Sequence, residues 1–373
     1  MGLFAASLPD FPWDSLAPFK STAAQHPDGI VDLSVGTPVD PTPQVVQRAL
    51  IEAANAPGYP TTHGTAELRE AVVEWFARRR NVPNLDPHAV LPTVGSKELV
   101  AMLPSLLGLG VGDVVVHPRV AYPTYDVGAR LAGATPMPAD AVAEWADNPA
   151  VKLVWVNSPS NPTGAVASTD YLAQVVEAAR SIGALVVSDE CYAELAWDEP
   201  YASQGVPSVL DPAVRGGSTD GVLALYSLSK QSNLAGYRAA FAAGDPAVIA
   251  ALLEARKHIG MIMPAPVQAA MVAALGDESH TAAQKAIYAA RRTALTEALV
   301  HAGFTIEDSQ AGLYLWVTRG EDCWDTIEWL AQRGILAAPG SFYGDAGVRN
   351  VRIALTATDE RVQSAARRLV NPR

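Results

Sequence analysis

Short apolar runs alternate with amphipathic stretches through the middle of the chain. The apolar runs have the length and the β-branched content of buried strands; they are GDVVVHP (112–118), VKLVWVNSP (151–159), GALVVSDE (183–190) and GVLALYSLS (221–229). Two further stretches, KELVAMLPSLLGLG (97–110) and TDYLAQVVEAARSIG (169–183), have helical periodicity. Strands that alternate with helices predict an α/β fold, in which a mostly parallel sheet lies between helices.

The regions before and after this alternating part of the chain have different patterns of apolar residues. Residues 1–42 are rich in proline and irregular, which predicts an arm that lies on another surface. Two helices are expected after Pro43, with Thr42 and Thr65 as their caps. A long helical stretch over 246–300 then leads into the strand-like segments AGLYLWV, GILAAPG and VRNVRIAL and the helix-like DCWDTIEWLAQRG.

The length of the chain favours two domains. Its 373 residues exceed one typical core. We expect an N-terminal arm over 1–42 that packs on the small domain, a large domain over 43–260, and a smaller α/β C-terminal domain over 261–373.

Composition narrows the class of protein. Hydrophobic residues make up 49% of the chain and charged residues 18%, which is typical of a globular protein. The net charge of −12 argues against binding to nucleic acid or to an anionic membrane. Cys191 and Cys323 are too few for a disulfide framework and show no metal-ligand spacing. For that reason we expect no metal. Because no run of about 18 apolar residues and no basic leader occurs, we expect a cytoplasmic protein.

Polar residues follow three of the apolar runs, where ligands bind in open parallel sheets. Asn157 to Gly164 follows the first run, Asp189 to Tyr192 the second, and Lys230 the third. Taken alone, Lys230 could be a solvated residue at the end of a strand. Ser227 and Ser229 before it and Arg238 after it, however, are a grouping of hydroxyls and a guanidinium that suits a phosphate ester.

A lysine, a phosphate site and a buried carboxylate are what pyridoxal 5′-phosphate requires. The amine forms a Schiff base with the aldehyde, and a carboxylate keeps the pyridine nitrogen protonated. Asp189 is the candidate carboxylate, although in isolation it could be a helix cap or a turn residue. A cap would not explain Tyr192 and Asn161, which could both hydrogen-bond the ring oxygen of this cofactor.

Four stretches in order along the chain resemble the motif set of class I/II aminotransferases, the fold-type I pyridoxal-phosphate enzymes. They are GYPTTHGTAELREAV (58–72), NSPSNPTG (157–164), SDECYAEL (188–195) and SLSKQSNLAGYR (227–238). The resemblance implies that Lys230 is the Schiff-base lysine and proton shuttle, and that Asp189 pairs with the pyridinium nitrogen. It also implies that Tyr192 and Asn161 bind the ring oxygen of the cofactor. Its phosphate ligands would be Ser227, Ser229 and Arg238.

The same resemblance implies further contacts. Ser96 and Lys97 open a helix whose free N–H groups favour the phosphate, although Ser96 could be an ordinary cap. Tyr122 is expected to stack on the cofactor ring, or else to pack in the core. Tyr59 resembles the tyrosine that reaches the phosphate of the neighbouring subunit, which implies a homodimer with shared active sites.

Two more residues are implied for the substrate carboxylate. Arg352 resembles the C-terminal arginine of the family, which binds this group in a planar, bidentate manner, although it could instead be a strand arginine that faces solvent. Gly36 resembles the glycine whose backbone approaches the same carboxylate, and Asn161 is also expected beside the substrate. The implied reaction is ping-pong transamination between an amino acid and a 2-oxo acid, with glutamate and 2-oxoglutarate as the expected pair.

The N-terminal part resembles a narrower group. Residues 8–43 and 56–72 are similar to the actinobacterial N-succinyldiaminopimelate aminotransferases of lysine and peptidoglycan biosynthesis. That substrate carries several carboxylates, so a second cation is expected beyond Arg352. The sequence leaves four candidates, which are Lys97, Arg119, Lys257 and His258.

Three other functions stay open from the sequence. A Cβ–S lyase or a decarboxylase could use the same lysine, aspartate and arginine, but would need no 2-oxo acid acceptor. An aminotransferase with aromatic or alanine-type specificity would differ in its amino donor. A regulator of transcription that senses the cofactor would carry a DNA-binding module, which the acidic composition disfavours.

Overall fold

The computed structural model describes residues 8–9 and 12–370. The first residues of the expected arm (1–7 and 10–11) and the last of the expected small domain (371–373) lie outside the described residues. The α-helices are α1 (Ala17–Ala24), α2 (Gln44–Glu52), α3 (Ala66–Arg79), α4 (Ser96–Leu106), α5 (Thr124–Ala132), α6 (Thr169–Ser181), α7 (Tyr201–Gln204), α8 (Pro212–Arg215), α9 (Leu228–Gln231), α10 (Pro246–Ile259), α11 (Ala265–Gly276), α12 (Glu278–His301), α13 (Cys323–Ala331) and α14 (Asp359–Val370). The strands are β1 (Val31–Asp32), β2 (Val90–Val94), β3 (Val114–His117), β4 (Thr135–Pro138), β5 (Val151–Asn157), β6 (Leu185–Asp189), β7 (Val222–Ser227), β8 (Ala239–Gly244), β9 (Thr305–Glu307), β10 (Tyr314–Thr318), β11 (Ile335–Leu336), β12 (Ala338–Pro339) and β13 (Val351–Ala354).

A seven-stranded sheet forms the centre of the large domain, and it confirms the predicted α/β fold. The strand order is β2-β8-β7-β6-β5-β3-β4; β8 runs antiparallel to both of its neighbours, and the remaining pairs are parallel. Strands β6 and β7 are buried along their whole length, which explains why they read as continuous apolar runs. Asn157 pairs with Asp189 in the ladder, so β5 and β6 end level with each other. The polar residues that follow these parallel strands therefore meet at one edge of the sheet.

The small domain is built on a second, antiparallel sheet. Its strand order is β12-β13-β10-β9, and helices α12 and α14 pack against each other beside it. The arm contributes to the same core: β1 pairs with β11 through Val31 and Ile335, and α1 packs against α13. The expectation that the arm is irregular was wrong in part, because Leu16, Val31 and Leu33 are buried in that core and order the chain there.

Local sequence chemistry explains some helix boundaries and corrects others. Thr65 caps α3 as predicted, since its hydroxyl accepts the N–H of Leu68 at 3.2 Å. Thr42 does not cap α2, because its hydroxyl donates instead to the carbonyl oxygen of Asn233, far along the chain. The stretch over 246–300 is three helices rather than one, since Gly260 adopts a positive φ of 83° and ends α10.

Helix α11 packs with the large domain. It lies against α2 and α3, and its buried residues Ala270, Met271, Ala274 and Leu275 belong to the core of the large sheet. The sequence placed the boundary between the domains at residue 260, before this helix. On this packing we propose a boundary near Asp277, where α11 gives way to α12.

The described part of the chain has neither a membrane-spanning helix nor a cluster of metal ligands. None of its helices combines the length and the apolar character needed to cross a membrane. Within the same residues there is also no group of three or more His, Cys, Asp or Glu side chains that could hold a metal ion.

Candidate active site

A cavity of about 790 Å³ lies at the carboxyl ends of β5, β6 and β7. The arm and the small domain complete its walls. The predicted site residues that line it are Gly36, Ser96, Lys97, Tyr122, Asn161, Asp189, Tyr192, Ser227, Ser229, Lys230, Arg238 and Arg352. Tyr59 does not line it, because its side chain is fully exposed in the loop between α2 and α3. The fold thus brings the predicted residues together, with that one exception.

Lys230 lies in the one-turn helix α9, which directly follows β7. Its Nζ donates a hydrogen bond to the carbonyl oxygen of Gly36, in the arm. Burial lowers the pKa of Lys230, and the nearby positive charges of Arg352 and Arg238 act in the same direction. The amine therefore gives up its proton more readily than an exposed lysine, as a nucleophile or general base requires.

Asp189 is the last residue of β6 and is buried. The Tyr125 hydroxyl donates to its Oδ2 at 2.9 Å, and the main-chain N–H of Cys191 donates to its Oδ1 at 3.2 Å. Burial raises the pKa of Asp189, while the donors Cys191 and Tyr125 oppose that effect by stabilising the ionised form. The result is a carboxylate with a defined orientation, which can pair with a cationic nitrogen in the cavity.

The other end of the cavity is rich in hydrogen-bond donors. Gly95 precedes α4 with a φ of 78°, and a side chain there would place its Cβ 2.0 Å from Nη2 of Arg238. The missing side chain therefore lets the Arg238 guanidinium lie against the start of α4, where the first N–H groups have no helical partner. The Ser227 and Ser229 hydroxyls, 2.8 Å apart, complete a group of donors suited to an anion.

Arg352, on β13, is buried on the opposite wall. Its Nη1 donates to Oδ1 of Asn161 at 2.8 Å and its Nη2 to the carbonyl oxygen of Ser34 at 2.6 Å. Its Cζ lies 3.9 Å from the ring centroid of Tyr314. No acidic side chain pairs with this guanidinium among the residues that the structure describes. A buried, unneutralised guanidinium is suited to a ligand carboxylate.

Several residues of the site could not be identified from the sequence. Trp13, Tyr125 and Tyr314 also line the cavity, as do Asn157 and Cys191, which lie in the polar stretches predicted beside the ligand but were given no role. Tyr125 lies three residues after Tyr122, a spacing that indicates only a shared helix face. Tyr314 lies in the run AGLYLWV, whose apolar pattern predicts a strand and no role in binding. Nothing in their local sequence indicates the distant partners that they contact.

The four candidates for a second cation differ in position. Lys97 lines the cavity, and its side chain has no hydrogen bond or ion pair to any described residue. Arg119 forms an ion pair with Glu144, and Lys257 forms one with Glu254 at 2.5 Å, both away from the cavity. His258 does not line the cavity either. Of the four, Lys97 is the one whose side chain is placed to meet a ligand there.

Comparison with known proteins decides what kind of enzyme this cavity belongs to. The family described as aminotransferase class I and II matches residues 28–369. The chain belongs to this family. This aminotransferase is 59% identical in sequence to a probable aminotransferase of Mycobacterium tuberculosis, over 99% of this chain and 87% of that protein. It is 57% identical to the 4-dedimethylamino-4-oxo-anhydrotetracycline transaminase of Streptomyces rimosus, over 97% of this chain and 99% of that one.

Solved structures with the same fold include two of related name. The probable N-succinyldiaminopimelate aminotransferase of Thermus thermophilus has a TM-score of 0.85 at 30% identity, over 96% of this chain and 99% of that chain. The N-succinyldiaminopimelate aminotransferase of Mycobacterium tuberculosis has a TM-score of 0.83 at 28% identity, over 95% and 96% of the two chains. The expected fold-type I architecture is confirmed.

Aminotransferases of this family use pyridoxal 5′-phosphate, and the cavity fits that cofactor. Because Gly95 has no side chain, the Arg238 guanidinium lies against the start of α4, and both line the cavity where they can bind a phosphate. Lys230 and Asp189 line the same cavity, so an amine for the aldehyde and a carboxylate for the ring nitrogen are both present. The residues of the cavity therefore offer a partner to the phosphate, the aldehyde and the ring nitrogen of the cofactor.

Proposed function

We propose that this aminotransferase transfers an amino group between N-succinyl-LL-diaminopimelate and 2-oxoglutarate. The observation that carries the proposal is the pair of cations in one cavity, the buried Arg352 and the exposed, unpartnered Lys97. A substrate with several carboxylates needs such a second cation, whereas an amino acid with one carboxylate does not. The named relatives of known structure share this fold and support the same substrate class.

The residues of the cavity divide the work of the reaction. When bound, pyridoxal 5′-phosphate supplies the electron sink that makes the Cα–H bond of an amino acid acidic. Arg352 binds the α-carboxylate, and the Nζ of Lys230 removes the proton at Cα and later returns a proton. The lowered pKa of Lys230, caused by burial, keeps part of this amine neutral and so able to act as a base.

The remaining residues hold the cofactor in this proposal. Asp189 stays ionised and pairs with the ring nitrogen, while Tyr192 and the amide nitrogen of Asn161 donate to the ring oxygen. The orientation of Asn161 supports its role, since its Oδ1 accepts from Arg352 and its Nδ2 is left for a ligand. Tyr122 stacks on the ring, and its pKa, raised to about 12 by burial, keeps its hydroxyl protonated. The phosphate is bound by Ser96, Lys97, Ser227, Ser229 and Arg238, with Lys97 contributing its main-chain N–H.

A homodimer is part of the proposal. Tyr59 is fully exposed between Pro57 and Pro60 in the loop before α3, and a large aromatic ring at such a position favours contact with another protein surface. In the proposed dimer this tyrosine reaches the phosphate in the neighbouring subunit.

A second candidate is transfer of an amino group to a polycyclic ketone. The 57% identity to the Streptomyces rimosus transaminase over nearly the full length of both chains favours it. The aromatic walls of the cavity, which include Trp13, Tyr122 and Tyr314, would suit a flat apolar acceptor. The ketone itself gives Lys97 no carboxylate partner, which is why we rank this candidate second.

The test is to measure glutamate formation from N-succinyl-LL-diaminopimelate and 2-oxoglutarate by the cofactor-loaded enzyme. Aspartate, alanine and phenylalanine serve as alternative donors, and a polycyclic amine as a further one. We expect the diaminopimelate derivative to have the highest kcat/KM by orders of magnitude. A simple amino acid or the polycyclic amine in that place would overturn the substrate assignment, and turnover without a 2-oxo acid would indicate a lyase or decarboxylase instead.

A further inference from the structure

Tyr314 brings a second phenol to the centre of the cavity. It is the first residue of β10 in the small domain, and it is buried. Its hydroxyl lies 3.2 Å from the hydroxyl of Tyr192, and the two rings meet at 68° with their centroids 5.7 Å apart. Tyr192 lies three residues after the end of β6 in the large domain, so this contact joins the two domains inside the site.

The backbone of the arm makes room for this hydroxyl. A side chain at Gly36 would place its Cβ 2.1 Å from the Tyr314 oxygen, so only glycine allows the phenol to lie there. The backbone of Gly36 does not adopt a positive φ, which means that close approach rather than conformation requires glycine. The carbonyl oxygen of Gly36 also accepts the hydrogen bond from Lys230. The Tyr314 hydroxyl therefore lies against Gly36 of the arm, which also contacts Lys230, and beside the Tyr192 hydroxyl.

The charges around the pair indicate which hydroxyl donates. The Arg352 guanidinium lies on the face of the Tyr314 ring, with its Cζ 3.9 Å from the centroid. Although burial opposes the effect, the positive charges of Arg352 and Lys230 lower the pKa of Tyr314. Burial and the neighbouring Tyr314 raise the pKa of Tyr192 well above its usual value. A cation against the ring of a phenol makes its hydroxyl the better hydrogen-bond donor, so from the position of Arg352 we assign Tyr314 as the donor in the 3.2 Å contact, which leaves the Tyr192 proton directed elsewhere.

We propose that Tyr314 is a positioning residue of the transamination reaction, which orients the hydroxyl of Tyr192 toward the ring oxygen of the cofactor. The inference rests on the proposed role of Tyr192 as ligand of that oxygen. A hydroxyl that accepts one hydrogen bond is polarised and becomes a stronger donor in the next, so Tyr314 strengthens the contact as well as directing it. Tyr314 acts through Tyr192 and has no bond-breaking step of its own.

The test is a pH titration of the visible absorption band of the cofactor-loaded enzyme, without substrate. A hydrogen bond donated to an ionised oxygen favours the ionised form, so its weakening raises the pH midpoint. We expect Tyr314→Phe to raise the midpoint by about 0.5 to 1 pH unit, the scale of one lost hydrogen bond. Tyr192→Phe should raise it by at least as much.

Tyr343→Phe is the matched control. Tyr343 is also buried beside Arg352, with its ring centroid 5.0 Å from the guanidinium carbon, but its hydroxyl has no hydrogen-bond partner among the described residues. The pH midpoint of the absorption band in Tyr343→Phe should stay at the wild-type value. Because Tyr314→Phe keeps the ring that packs against Arg352, its thermal unfolding midpoint should also stay close to that of the wild type, and this separates positioning from folding.

The double variant Tyr192→Phe/Tyr314→Phe decides whether the two hydroxyls act as one unit. A residue that acts through another gives no further effect once its partner is removed, so the double shift should equal that of Tyr192→Phe alone. An unshifted midpoint in Tyr314→Phe, or shifts that add in the double variant, would overturn the inference while leaving Tyr192 in its role. An unshifted midpoint in Tyr192→Phe would instead overturn the Tyr192 assignment and the inference with it. Neither result bears on the substrate, which the donor comparison tests separately.

Discussion

Asp189 shows how single residues tune this site. A carboxylate that is buried as deeply as this one is normally driven toward its neutral form. The Tyr125 hydroxyl at 2.9 Å and the Cys191 N–H at 3.2 Å oppose that tendency. Tyr125 is itself held by Trp155, with the two rings stacked 5.0 Å apart. The ionisation state of the carboxylate therefore depends on an aromatic residue that sequence motifs did not single out.

Tyr125→Phe should weaken cofactor binding. The variant keeps the stacked ring but removes one donor to the carboxylate, so we expect the affinity for pyridoxal 5′-phosphate to fall about 10-fold, the scale of a hydrogen bond to a charged group. The measurement is a titration of the cofactor-free enzyme, followed by absorbance. Tyr171→Phe is the control, because that hydroxyl donates to the Asp140 carbonyl outside the cavity and its loss should leave the affinity unchanged.

The same variant should change the pH dependence of cofactor binding. Protonated Asp189 cannot pair with a cationic nitrogen, so affinity should fall as the pH drops through the pKa of Asp189, which burial raises above its usual value. Without the Tyr125 donor this pKa rises further, and the fall should begin at a higher pH. A titration curve that keeps the wild-type midpoint would contradict the role of Tyr125.

Lys97→Gln tests the proposed second anchor. The change removes the cation but keeps the main-chain N–H at the start of α4, so we expect kcat/KM for N-succinyl-LL-diaminopimelate to fall about 10- to 100-fold. Steady-state kinetics with L-alanine, which has no second carboxylate, should be unchanged. Lys257→Gln is the matched control outside the cavity. An equal loss with both substrates would assign the Lys97 side chain to the cofactor phosphate instead.

Among the helices and strands, Asp40 ties the arm to the small domain. Its carboxylate accepts from Arg291, on α12, through both Nη atoms at 2.6 and 2.8 Å, and from Gln284 at 2.8 Å. The Nε of Arg291 donates at 2.7 Å to Asp359, at the start of α14. One arginine thus joins the arm to two helices, next to the segment that carries Gly36 into the cavity.

Asp40→Asn should destabilise this junction. Asp40 is largely buried and Asp359 is exposed, so the first contact is worth more than the second. We expect the thermal unfolding midpoint at pH 7 to fall by about 2 °C or more in Asp40→Asn. Asp359→Asn, which removes the exposed partner of the same arginine, should have less than half of that effect.

The stability that Asp40 contributes should depend on pH. Although burial opposes the effect, hydrogen bonds from Arg291 and Gln284 hold the pKa of Asp40 below its usual value. A lowered pKa in the folded state stabilises the protein above the unfolded pKa of about 3.9, and this stabilisation is lost as the pH falls through the folded value. The gap between wild type and Asp40→Asn should therefore close in unfolding measurements in that acidic range. A gap that persists there would contradict the ionic role of Asp40.

At the scale of the whole molecule, the proposed shared site predicts complementation between subunits. Lys230→Ala should lose the visible absorption band, and Tyr59→Phe should lose phosphate affinity. In a hybrid dimer of the two variants, one site combines the intact Lys230 of one chain with the intact Tyr59 of the other. We therefore expect that co-expressed, differently tagged chains, purified as hybrids, bind about half the wild-type amount of cofactor with wild-type affinity, as shared sites imply. Hybrids with only the weakened affinity of Tyr59→Phe would show that each site is built from one chain.

Most of the elements, the family and the cofactor could be predicted from the sequence. The runs predicted for β5 and β6 ended within two residues of the observed strands, and Asp189, predicted to follow a strand, is the last residue of β6. This worked because strands buried on both faces leave continuous apolar runs, and because polar residues after parallel strands share one edge. The run before Lys230 was read two residues too long as a strand, since the buried helical turn α9 continues the apolar pattern.

Which distant side chains face the cavity depends on the packing of the folded chain. Gly36, Tyr192, Tyr314 and Arg352 come from the arm, the large domain and the small domain, and only their packing sets the 3.2 Å contact between the two phenols and the guanidinium above one ring. It also separated Lys97 from the other candidate cations, because Arg119 and Lys257 are paired with neighbouring acids elsewhere. Local sequence records which elements form, through burial and backbone propensity. Contacts between residues far apart along the chain depend on how those elements pack, and no local pattern encodes that packing.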